Sequence, residues 1–172
     1  MASIKDLMGL NRADFGTVEK DFADLTERIL SNENLLKLMY FNTPDCLSEG
    51  KAEITPEIIN EIVAENLRIV PSVRVPKNKG SYLIITFDSF VTNGDNPEFM
   101  NNIILVDVLC PVDVWMMDSY MMRPFKMMHE IQRMLHDKPL NGIGKVYFAG
   151  ANLLNLGDYN GYQMAFSVIN DV

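Results

Sequence analysis

The sequence is poor in the residues that most often carry chemistry or cross-links: its 172 residues include two cysteines, two histidines and one tryptophan. Cys46 and Cys110 form no CxxC pair and sit in no histidine-rich cluster, which excludes a disulfide framework and a Cys/His zinc site. Both read as reduced, small hydrophobic side chains. No apolar run approaches the ~20 residues of a membrane-spanning helix, and charges among the first residues interrupt any secretory apolar segment. The chain is therefore expected to be cytosolic when made, with no membrane partner. Basic residues are in the minority, 15 against 23 acidic, for a net charge of -8. Tight, sequence-independent binding to phosphate backbones depends on clustered cations, so this balance argues against it. The same balance suits plain solubility, and it suits a surface past which DNA must slide without sticking.

What is present is enough for a core. Hydrophobic residues make up 48% of the chain and charged ones 22%, and a single domain of this size buries roughly 70% of its unfolded surface. Residues 1–172 read as one domain, with a helical part over 1–66 and a hairpin, helix, hairpin core over 67–172. Val18, Phe22, Leu25 and Ile29 recur at helical spacing after a candidate cap at Thr17. A short second helix spans Leu35 to Met39 and ends at the turn Asn42-Thr43-Pro44-Asp45. Thr55-Pro56-Glu57 starts a third helix, running to about Asn66.

From Leu67 the pattern becomes β. Leu67 to Val75 is an edge or broken strand because of Pro71. Ser81 to Val91 and Asn102 to Val114 form a hairpin whose connection is longer than turning a chain requires. Arg123-Pro124 opens a helix with a broad apolar arc of Phe125, Met127, Met128, Ile131, Met134 and Leu135, wide enough to need a cover beyond one sheet. Residues 138–142 read as a loop, Ile143 to Ala151 as a strand, Asn152 to Asn160 as a connection and Gly161 to Asn170 as the last strand. The order implies an α+β domain: an antiparallel or mixed β-sheet with a long hairpin, flanked by helices mainly on one face.

Motifs that suggest chemistry fall short of what it demands. His129-Glu130 lacks a second histidine at i+4; His136 comes at i+7 and no third ligand is in view, so no metal is expected. Asn141-Gly142-Ile143-Gly144-Lys145 has a strand after it where a phosphate loop has one before, and its glycines suit a turn. There is no Gly-x-Ser-x-Gly, and neither cysteine has a histidine nearby in sequence. No catalytic residue and no cofactor are expected. Seven of the twelve methionines lie between Met116 and Met134, where they serve equally as core filler or as a surface that repacks against partners.

Several segments together resemble the tailed-bacteriophage neck proteins, the tail-terminator and head-tail-joining group. They are Leu35-Leu36-Lys37-Leu38-Met39-Tyr40, Thr55-Pro56-Glu57, Arg68-Ile69-Val70-Pro71, Tyr82 to Asp88, Arg123-Pro124-Phe125-Lys126, Leu140 to Ala151 and Gly161-Tyr162-Gln163-Met164. The resemblance implies a sheet flanked by helices and a homo-oligomeric ring, usually sixfold, at the junction of head and tail. One face would cap the tail tube protein and the other would dock the head connector or stopper protein, with DNA only as passing cargo. The expected localisation is the virion. On this basis Asp95, Pro97, Glu98, Phe99 and Met100 are candidates for subunit or tube contact, and Asn152, Leu154, Asp158 and Tyr159 form a second contact loop. Two alternatives stand beside it: a head-completion protein of the same neck, and a non-viral ligand-binding or regulatory domain.

Overall fold

The computed structural model describes residues 15–69, 74–92, 100–140 and 144–169. Among the described residues, four α-helices and six strands follow one another as α1 (Phe15–Leu30), α2 (Glu33–Tyr40), α3 (Pro56–Glu65), β1 (Leu67–Arg68), β2 (Tyr82–Thr92), β3 (Met100–Pro111), α4 (Arg123–Leu135), β4 (Lys138–Leu140), β5 (Gly144–Leu156) and β6 (Tyr159–Ile169). The strands form one mixed sheet in the order β1-β2-β3-β6-β5-β4. β1 runs parallel to β2, and the remaining neighbours are antiparallel. This is the expected α+β architecture.

Helices form where the sequence supplies both a start signal and an apolar stripe. Thr55 caps α3 by accepting a hydrogen bond from the Ile58 amide, with Pro56 in the first turn. Asn32 caps α2 the same way, its side chain accepting from Leu35 N at 3.0 Å. At eight residues α2 is too short to persist alone in water; it is held by burial of Leu35, Leu36, Leu38 and Met39, each contributing roughly 1.5–3 kcal/mol. In α4 the inward side chains Met127, Ile131 and Leu135 are buried while Met128 and Met134 pack partly against the core. The breadth of that arc is explained by its neighbours, because α4 touches α1 and α2 as well as the sheet.

The main core lies between the helices and one face of the sheet, where Leu83, Ile85, Ile104, Val106, Val108, Met164, Phe166 and Val168 point inward. A second, smaller cluster of Tyr82, Ile84, Leu109 and Tyr159, with Leu154 against it, occupies the other face. Cys46 and Cys110 are free and buried in the main core.

Several boundaries differ from the sequence expectation. Thr17 sits inside α1, which already includes Phe15. Of the strand expected over 67–75, β1 keeps only Leu67–Arg68; residues 70–73, including Pro71, lie outside the described residues. Val112–Val114 leaves the sheet as a 3-10 turn just after Pro111. Lys138–Leu140, expected as loop, pairs with β5; Pro139 is tolerated because an edge strand can spare one amide. The supposed connection from Asn152 to Asn160 is mostly strand, with a two-residue turn at Gly157-Asp158. Gly157 has φ +73°, which suits the first central position of a type II′ hairpin turn.

Candidate interaction surfaces

The long strands place Met100 at one end of the sheet and the second candidate set toward the other. β3 and β6 pair continuously from Asn102↔Val168 to Pro111↔Tyr159, ten registered pairs spanning about 30 Å. Met100 lies at one end, opposite Thr92. Asp158 forms the turn at the other, beside Tyr159 and Pro111. Asp95, Pro97, Glu98 and Phe99 lie outside the described residues. Of the first set, Met100 therefore lies at the opposite end of the sheet from the Gly157-Asp158 turn.

Within the second set the side chains divide by exposure. Asn152 and Asp158 are exposed, and Leu154 is half-buried against the smaller cluster. Tyr159 is buried, its ring 5.2 Å from that of Tyr82. Burial, then the neighbouring Tyr82, pushes its hydroxyl pKa up to about 12, so its phenol stays neutral. On the same face a row crosses the sheet through Arg68, Ile84, Asp107, Gln163 and Asn152. Gln163 donates to Asp107 at 2.9 Å, and burial raises the Asp107 pKa against the lowering effect of that bond. An open cavity of about 310 Å³ adjoins this end, lined by residues that include Pro111, Asp113, Asp158 and Tyr159.

The helix-side face at the same end exposes an apolar surface that the hairpin expectation missed. Leu153 on β5 is 64% exposed and Phe125 on α4 is 49% exposed. They flank Tyr162, whose ring stacks on Trp115 at 6.5 Å and meets Phe125 at 5.3 Å. Trp115 is anchored by a hydrogen bond from Nε1 to the Asn160 carbonyl. Beyond it, Met116 bridges to Met122, and both are exposed together with Tyr120. Ser119 and Tyr120 hold φ of 62° and 60°. Left-handed backbone is costly for non-glycine residues, roughly 1–2 kcal/mol each, so this loop displays Tyr120 at the expense of local strain. The methionine cluster between Met116 and Met134 was the sequence signal for this surface.

The groups that suggested chemistry in the sequence are separated or sequestered. His129 and His136 are both exposed, and His136 uses Nδ1 to accept a hydrogen bond from the Phe148 amide at 3.1 Å. Among the described residues no three His, Cys, Asp or Glu side chains gather as a metal site would require, and no helix is long and apolar enough to cross a membrane. Burial pushes the Cys110 thiol up to about 12 and raises Cys46 as well. Thiolate is the reactive form. Neither thiol is therefore expected to react with a disulfide reagent at pH 8 in the native protein, whereas both should react in denaturant; a colorimetric thiol assay measures the difference, and rapid native labelling would mean that the core opens.

Compared with known proteins, residues 32–168 match the family model described as YomW. No curated protein matches the chain.

Proposed function

We propose, from the premise that this chain belongs to the YomW family and is a phage-related protein, that it is a structural protein of the phage neck. In this reading it forms a ring that terminates the tail tube and joins it to the head while leaving a channel for DNA. The observation that carries the proposal is the placement of Met100 at one end of one continuous sheet and of the Gly157-Asp158 turn about 30 Å away at the other. Subunits in a ring meet head to tail, so each needs two different surfaces facing away from each other. A rigid sheet with a contact region at either end meets that need without any conformational change.

Two further features support the reading. The net charge of -8 disfavours retention of passing DNA by the protein as a whole. The apolar surface around Leu153, Phe125 and Tyr120 is what a protein acting through contacts would expose, and aromatic and methionine side chains are enriched at such places. The partners would be other copies of the chain, the tail tube protein and the head connector. The role would be mechanical and not enzymatic.

Electron microscopy of a lysate in which the gene is silenced tests this. Overlong, unattached tail tubes are the expected result. Normal-length tails beside emptied heads would move the protein to head completion, and intact infectious particles would overturn the neck assignment altogether.

A further inference from the structure

Among the described residues, little covers the outer edge of β5. β4 covers only its first residues, pairing Lys138, Pro139 and Leu140 with Val146, Lys145 and Gly144. Asp137 N then donates to the Val146 carbonyl and Phe148 N to His136 Nδ1. A bulge at Ala149 interrupts the register. From Gly150 to Leu156 the strand is regular again, pairing with Ala165 to Tyr159 of β6.

The direction of the backbone groups along this tract follows from the turn. Leu156 and Tyr159 flank a two-residue turn, so that pair directs its N–H and C=O groups at each other. Alternation then turns the N–H and C=O of Ala151, Leu153 and Asn155 outward. Among the described residues no backbone partner reaches them. The segment Gly150-Ala151-Asn152-Leu153-Leu154-Asn155-Leu156 holds no charge and no proline, the devices by which exposed edges are normally blunted. The free edge of β2 differs: it carries a bulge at Asp88, an exposed acid.

We propose that Gly150–Leu156 pairs antiparallel with the same residues of a second copy of this chain, about a two-fold axis through Leu153. The geometry selects that occupant and that register. With Leu153 opposite its own copy, Ala151 faces Asn155 and Gly150 faces Leu156, so the paired tract fills the space between the Ala149 bulge and the Gly157 turn without reaching β4. The outward groups then exchange about six hydrogen bonds. The exposed side chains of Leu153 and Phe125 on one face, and of Leu156 on the other, extend the contact with apolar area from both copies. The two Asp158 carboxylates fall ten residues apart in register, about 33 Å, so the dimer brings no like charges together at the tips. The pairing does not depend on the neck reading: a two-fold contact closes on itself, so it would occupy Asn152, Leu153, Leu154 and Phe125, and a ring would meet through Met100 at one end of the sheet and the Gly157-Asp158 turn at the other.

Sedimentation equilibrium of the full chain tests the proposal, together with Leu153→Pro, Leu153→Cys and Asn155→Cys. The unmodified chain is expected to dimerise. Leu153→Pro removes an outward amide and places a ring in the path of the partner while sparing the β5–β6 ladder. It should weaken the dimer by about a hundredfold with an unchanged circular dichroism spectrum; Leu153→Lys, which leaves the backbone alone, should act in the same direction. Under mild oxidation Leu153→Cys should trap a disulfide dimer faster than Asn155→Cys, because only position 153 meets itself and the native thiols are buried. A chain that stays monomeric at millimolar concentration would overturn the proposal. So would a dimer indifferent to both Leu153→Pro and Leu153→Lys, or equal trapping rates. A larger ring that Leu153→Pro disrupts would also overturn it, by placing this edge in a head-to-tail contact.

Discussion

Arg123→Ala is expected to lower the free energy of unfolding by about 3–5 kcal/mol, the cost of leaving several buried carbonyls without a donor and of opening a cavity. Arg123 is fully buried and sits in the first turn of α4 beside Pro124. Its Nε donates to the Val114 carbonyl at 3.0 Å. Nη1 donates to the carbonyls of Leu38 and Phe41, and Nη2 to that of Thr43. One guanidinium thus satisfies the C-terminal end of α2, the strand-like exit behind it and the 3-10 turn after β3. Alanine would leave these acceptors without their donor and open a cavity among the side chains around them. For a chain of this length the change corresponds to a drop in Tm of roughly 6–20 °C. Lysine keeps the charge but lacks the planar fork of donors, so Arg123→Lys should fall between alanine and the native residue. Thermal melts of the three proteins decide the matter, and coincident curves would show that α2 and the Val112 turn are held by packing alone.

The second large effect is at Gly161, in the middle of the sheet. A Cβ added there would fall inside the van der Waals radius of the Val108 carbonyl oxygen and would crowd Leu109. Those atoms are backbone of β3, which is pinned between β2 and β6, so nothing can swing aside. Gly161→Ala is expected to cost on the order of 4 kcal/mol or more. Gly150, whose added Cβ would meet nothing within 4 Å, supplies the comparison: Gly150→Ala should stay within about 0.5 kcal/mol of the unmodified protein. Equal losses from the two substitutions, measured by denaturant titration, would mean that β3 and β6 can separate locally at Gly161.

The parts of this fold that could be read in the sequence were those with local signals. Thr55-Pro56 announced α3 because a capping hydroxyl and a first-turn proline act within a few residues. Arg123-Pro124 announced α4 for the same reason, although nothing local indicated that the arginine would turn inward to reach Leu38 of α2, 85 positions earlier in the chain. The strand status of Lys138–Leu140 was hidden because Pro139 breaks strands everywhere except at an edge, and edges are assigned by tertiary pairing. Asn152 to Asn160 looked like a connection because asparagine and glycine are frequent there, yet one glycine at positive φ suffices to turn the chain and the asparagines remain in the ladder. That error mattered for the contact residues: grouped as a loop, Tyr159 seemed free to touch a partner, whereas as the first residue of β6 it is buried against Tyr82. The apolar surface had a partial signal in the methionines, but its other half, Leu153 and Tyr162, depends on which strand faces α4.

The place of β6 has a consequence for how the chain reaches this state. It is the last strand in sequence and yet lies between β3 and β5, in the interior of the sheet. A growing chain that has emerged only as far as Leu156 therefore carries two long apolar strands, each missing its neighbour on the same side, with α4 and α2 unable to close over a complete core. Pairings as distant as Asn102 with Val168 form slowly because a large loop must close first. In that interval the half-built sheet is the species most exposed to aggregation. Yield of folded protein during synthesis should then depend on the cell's holding chaperones more than the stability of the finished domain would suggest.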